Sequence, residues 1–149
     1  MPEQPRQPHL RPGLILAAVL GGMVGVATRE ALILAFPYDD VPWIVGVINI
    51  AGAFLLGFLL DLLPRFGPDT GGRRVLRLFV GTGVLGGFTT YSALATDAAS
   101  LTSDGLPLAG LGYALVSVIV GVLAGAAGMR TAAAVRVTPR VELTGEEDA

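Results

Sequence analysis

The residues best suited to chemistry lie together in one apolar stretch, Gly86-Gly87-Phe88-Thr89-Thr90-Tyr91-Ser92. Two glycines followed by hydroxyl residues make a poor continuous helix. Glycine costs about 1 kcal/mol relative to alanine, and β-branched threonine ranks low. The spacing predicts a helix broken at bilayer depth around residues 86–89. Backbone groups freed there have to face protein, an ion or water, because lipid cannot satisfy them. Two chemistries are open. Released carbonyls suit a small hard cation, as in other unwound membrane helices. The hydroxyls of Thr89, Thr90 and Ser92, with the positive ring edge of Tyr91, suit an anion. The stretch is not a phosphate loop, having no lysine and no preceding strand.

Three further positions carry polar groups within apolar surroundings. Arg29 follows Gly21, Gly22 and Gly25; an arginine in a membrane span is a functional hypothesis by default, set against snorkelling to the interface and pairing with Glu30 or Asp39. Asn49 shares a helix face with Gly46, Ala53 and Gly57. That pattern fits a close helix contact with an amide bonding across it, a clamp that leaves a functional role open. Tyr113, Ser117, Gly121 and Gly125 recur every fourth residue, so that two hydroxyls and a small-residue seam share one stripe. Plain close packing, with serine bonded back to its own helix, is the competing reading for Ser117.

These groups need elements to hold them, and the composition supplies membrane helices. Of 149 residues, 52% are hydrophobic and 15% charged, against about 25% charged in a soluble domain. The mean hydropathy is +0.67, and four apolar segments approach the ~20 residues that span a bilayer. They cover residues 13–36, 42–63, 75–99 and 106–134. The expected fold is an all-α integral membrane protein with four transmembrane helices, sequential helices lying as antiparallel neighbours in one domain. Residues 1–12 read as a disordered leader and 135–149 as a disordered polar tail. All ten basic residues are arginine. Nine of them lie in the leader, the second loop or the C-terminal side, and the first and third loops hold none. By the positive-inside rule both termini are cytoplasmic in a multi-pass plasma-membrane protein.

Catalysis finds little support. Cysteine is absent and the single histidine, His9, lies in the leader. Asp61 and Asp97 fall near span ends, so no nucleophile–base set assembles. The chain is expected not to be an enzyme.

Taken together, Gly21-Gly22, Gly25 and Arg29, the run Asn49-Ile50-Ala51-Gly52-Ala53-Phe54, and Gly86 to Ser92 with Asp97 closing the motif resemble the Fluc/CrcB family of fluoride channels. The resemblance covers all four spans. It implies an antiparallel dimer with two fluoride pores along the subunit interface and a central structural sodium ion. The sodium would be held by main-chain oxygens, here those of Gly86 and Thr89. The fluoride pathway would fall on Arg29, Asn49, Thr90, Tyr91, Ser92, Tyr113 and Ser117. One departure stands out: the family's two edge-on phenylalanines correspond to Tyr91 and Leu94, and leucine offers no polarised edge. Phe88 is the nearest substitute, though core packing suits it better. The one-sided arginine distribution further suggests a heterodimer with an oppositely oriented homologue rather than a homodimer.

The resemblance therefore implies passive fluoride exit through a membrane channel. The alternatives are a small proton-coupled multidrug exporter, which needs a carboxylate at mid-membrane, and a non-conducting partner subunit.

Overall fold

The computed structural model describes residues 11–36 and 43–135. The expected disorder of the leader and tail falls mostly on residues outside that range, as do His9, Asp39 and Asp40. Among the described residues, four helical spans are long and apolar enough to cross a membrane: Pro12–Ala35, Trp43–Phe66, Gly71–Ser103 and Pro107–Ala134. The chain is a multi-pass membrane protein.

The first span is one helix, α1 (Pro12–Ala35), with proline at its first position, where the missing N–H costs nothing. Helix α2 (Trp43–Leu62) runs into a 3-10 turn at Leu63–Phe66, and Gly67 leaves it at φ 121°. The third span is composite. A short α3 (Gly71–Leu76) widens into a π-helical segment, Arg77–Leu85, returns to α geometry in α4 (Gly86–Phe88), and resumes as α5 (Tyr91–Ser103). After Asp104 and Gly105 the last span is α6 (Pro107–Ala134), again opened by proline.

Packing corrects one expectation. The short loops predict sequential spans as close neighbours, which holds for α5 against α6 but not for α1 and α2, which barely touch; α1 lies along the π segment and α4, and α2 lies along α6. Glycine placement is the reason. A Cβ on Gly83 would stand 2.6 Å from the Ala18 carbonyl oxygen, and one on Gly87 2.5 Å from that of Gly22. Gly21 and Gly25 answer from α1, against the Phe79 and Val84 carbonyls. In the other pair Gly57 meets Gly125, and Gly128 meets the Phe54 carbonyl. Contacts in both seams advance in the same chain direction, so each joins two parallel spans. Lipid gives apolar side chains no reason to cluster, so helices in a bilayer associate where small residues let backbones approach.

The buried core is correspondingly small. Ile44, Val45 and Ile48 of α2 pack with Leu32, Ile33, Phe88 and Ala93, tying the ends of α1 and α2 to the break in the third span. Most other large apolar side chains point outward.

Candidate functional site

The break falls later than the glycines suggested. Gly86 is helical, at φ −66° and ψ −35°, while Thr89 (φ −79°, ψ 154°) and Thr90 (φ −148°, ψ 121°) are extended. In this chain Gly87 provides close approach to α1 rather than conformational freedom, and the two β-branched residues, at home in extended backbone, carry the interruption.

What holds it open is a two-point clamp. The Thr90 N–H donates to Asn49 Oδ1 at 2.8 Å, and Asn49 Nδ2 donates back to the Thr90 carbonyl at 3.0 Å. The backbone N–H can only donate, which fixes the orientation of the amide. Thr90 also caps α5, its Oγ1 accepting from the Ala93 N–H at 3.3 Å and lying 3.1 Å from Ser92 Oγ. Thr89 closes the other side: its hydroxyl donates to the Leu85 carbonyl at 3.0 Å, and its methyl rests on Gly52. The Asn49 contact is thus the cross-helix bond that its small-residue face anticipated.

A broken helix strands carbonyls. In a continuous helix Gly87 would accept from the Tyr91 N–H; here Arg29 Nη1 donates to it instead, at 3.3 Å. The same guanidinium pairs with Glu30 Oε1 at 3.2 Å and its side chain is 19% exposed. Arg29 therefore pairs with Glu30 and caps the broken helix at once. No donor among the described residues reaches the Gly86 or Thr89 carbonyl, and Gly86 is exposed on the surface of the subunit.

Beside the break lies an open groove of about 420 Å³. Asn49, Thr89, Thr90, Tyr91 and Ser117 line it, over a floor that includes Gly52, Leu94 and Gly121. None of the groove residues is charged. Leu94, at 6% exposure, is buried within the subunit, whereas Tyr91 is 80% exposed at the edge. Arg29, Ser92 and Tyr113 stand outside the lining. Ser92 remains next to the groove through Thr90, and Tyr113 hydrogen-bonds to Asp97 across α5 and α6. The second Asp97 oxygen is buried without a partner among the described residues.

Two features do not follow from the motifs and their spacing. The π segment leaves no compositional trace beyond Gly81 and Gly83. The Asp97–Tyr113 contact was signalled by Gly110, which brings α6 onto the Ala98 carbonyl and the Thr102 hydroxyl one turn before Tyr113. Chemically, the groove offers neutral donors. One N–H of Asn49 lies beyond those used in the clamp, since an amide nitrogen carries two, and hydroxyls and an aromatic edge surround it. Such a set can take up an anion without trapping it.

Comparison with known proteins bears on the same residues. Residues 16–129 match the family model described as CrcB-like protein, Camphor Resistance (CrcB). The chain is 48% identical over 115 residues to a protein of Cutibacterium acnes named fluoride-specific ion channel FluC 1, covering 76% of this chain and 80% of that one. It is 45% identical over 133 residues to fluoride-specific ion channel FluC 2 of Leifsonia xyli subsp. xyli, covering 85% and 88%. A third relative, fluoride-specific ion channel FluC of Mesorhizobium japonicum, is 42% identical over 115 residues, covering 74% and 88%. On the strength of a match that spans all four helices and the break, the chain belongs to the CrcB-like family.

Proposed function

We propose that this chain is a subunit of a fluoride-selective channel that lets fluoride leave the cytoplasm passively, as the names of its relatives imply for them. The observation that carries the reading is the uncharged groove beside the broken third span. Fluoride is small and strongly hydrated, so a pore must replace its water with several donors at once. Asn49, Thr90, Tyr91 and Ser117 supply them from the groove, with Ser92 beside Thr90. Tyr113 lies further along the Ser117 stripe and Arg29 contributes positive potential from behind the break. An inside-negative potential works on one charge by about 2.3 kcal/mol per 100 mV, roughly a 50-fold lower internal concentration at equilibrium. Expulsion then needs no second energy source, and the protein is a channel rather than an enzyme.

The groove is open along one side and Tyr91 projects from its edge, which supports assembly as an antiparallel dimer whose second subunit closes the pore. The carbonyls of Gly86 and Thr89 fit a hard cation such as sodium between the subunits. They are oxygen donors without helical partners, the ligand type such ions prefer. A bound sodium would supply fixed positive charge and staple the two third spans. Nine arginines on one side favour one-way insertion in the plasma membrane with both termini cytoplasmic, and so a homologous partner of opposite bias. The exporter alternative needs a carboxylate in the transport groove; the groove lining contains none.

Fluoride efflux from liposomes, read with a fluoride electrode, tests this. The chain alone is expected to pass little fluoride, and co-reconstitution with a homologue carrying arginines in its first and third loops is expected to restore flux. Full flux from the chain alone sinks the heterodimer and leaves the channel. Absence of flux in both preparations sinks the channel.

A further inference from the structure

Away from the groove, the loop between the second and third spans forms a cavity of about 360 Å³, lined by Leu63, Pro64, Gly67, Asp69, Arg73 and Arg77 among others. Its charges are held in place. Asp69 accepts two hydrogen bonds from Arg77, from Nε to Oδ1 at 3.1 Å and from Nη2 to Oδ2 at 2.8 Å. Arg74 Nε stands 3.6 Å from the same carboxylate. Arg73 donates Nε to the Pro68 carbonyl at 2.9 Å, which lays its guanidinium over Gly67. A Cβ on Gly67 would come 3.1 Å from Arg73 Nη2.

An arginine presents five N–H donors. Among the described residues the terminal nitrogens of Arg73 have no acceptor. Arg74 and Arg77 therefore pair with one aspartate while Arg73 is tied to the Pro68 carbonyl, so three arginines stand beside a single carboxylate and the excess positive charge is held by hydrogen bonds and ion pairs. Arg65 adds nothing to the excess, being paired with Asp61 one turn earlier. Both Asp69 oxygens are taken, so the carboxylate has little left for a cationic group.

The cavity's position decides what would fill it. It lies between the end of one apolar span at Phe66 and the start of the next at Gly71, at the level where lipid headgroups begin. Leu63 and Pro64 give it an apolar edge on the membrane side. We propose that this cavity binds the phosphate of an anionic phospholipid. Arg73 forks onto the phosphate oxygens, a geometry in which guanidinium is stronger than a point charge. Arg74 and Arg77 provide the surrounding field, and Leu63 and Pro64 lie against the lipid's glycerol end. A bound lipid would brace the loop that leads into the third span, ahead of the π segment and the break.

Native mass spectrometry of the full chain tests this, in micelles doped with phosphatidylglycerol or phosphatidylcholine. The expected result is a retained phosphatidylglycerol adduct, little phosphatidylcholine adduct, and no displacement by inorganic phosphate. Arg73→Gln is expected to weaken retention about fivefold, from about one arginine's worth of attraction to an anionic headgroup. Arg74→Gln is expected to shift retention the same way and serves if the first variant misfolds, which size-exclusion chromatography reveals. Arg130→Gln removes an exposed arginine near the end of α6 and is expected to leave retention within about twofold. Equal retention of both lipids, an equal loss in Arg130→Gln, or displacement by inorganic phosphate would each overturn the proposal, the last by showing a free-anion site.

Discussion

At the scale of single residues, Asn49 is the side chain that joins the second span to the break in the third. Its amide satisfies both backbone groups of Thr90, which lipid cannot do in its place. Asn49→Ala orphans an N–H and a carbonyl together, where each unpaired buried group costs about 1–3 kcal/mol. The variant is expected to melt earlier in detergent and to lose at least most of its fluoride flux with a partner present. Asn49→Asp keeps an acceptor for the Thr90 N–H but loses the return donor, and is expected to fall between the two. Asn49 was legible in the sequence because an amide among glycines announces a close contact. Its partner was not, because the choice of Thr90 depends on where the third span breaks. Arg29 was legible in the same incomplete way: the Glu30 pairing could be read from adjacency, the Gly87 carbonyl only from the fold.

At the scale of elements, hydropathy located all four spans, and Pro12 and Pro107 mark the starts of α1 and α6. The interior of the third span was harder to read. Helix propensity put the weakness at Gly86 and Gly87, but in a bilayer Gly87 is spent on contact with α1, and the β-branched pair after it yields instead. The seam can be tested directly. Gly25→Ala and Gly87→Ala push a methyl group into a backbone carbonyl of the facing span, and overpacking of this kind costs about 1–3 kcal/mol. Gly22→Ala and Gly46→Ala meet nothing within 4 Å and are expected to be neutral or to gain up to about 1 kcal/mol from helix propensity. Thermal unfolding of the four variants side by side separates seam from surface; a uniform gain would show that α1 does not need its glycines. The loop before the third span has its own test. The hydrogen bond from Arg77 holds the Asp69 carboxyl below its ordinary value of 3.8, with the charges of Arg77 and Arg74 assisting. A depressed folded value means that the link's contribution is complete above 3.8 and fades as pH falls through the lower folded value. Carbon NMR of the Asp69 carboxyl is expected to give a midpoint below 3.8, and Arg77→Gln to move it upward.

At the scale of the whole molecule, the subunit looks unfinished on one side. Its interior holds few buried residues, its groove is open, and Gly86 and Tyr91 are exposed beside the break. Lipid could cover apolar side chains there, but it cannot satisfy the Gly86 carbonyl, and the partner and cation proposed above would supply what lipid does not. Gly86 is the position that isolates this claim. It is helical, and a Cβ there meets nothing within 4 Å inside the subunit. Gly86→Ala should therefore leave the subunit's own stability unchanged or raise it by up to about 1 kcal/mol. Against an apposed third span and a shared cation, the same methyl group crowds both. The expected outcome is a normal subunit with a reduced dimer fraction, weakened dependence of assembly on sodium, and lost flux. Light scattering across a sodium titration and electrode-monitored efflux read these separately. Dimerisation and flux like those of the wild type would mean that the third spans neither meet nor share a cation at Gly86, while the groove remained the candidate pathway. Asn49→Ala provides the contrast, since its damage starts inside the subunit and should appear before any partner is added.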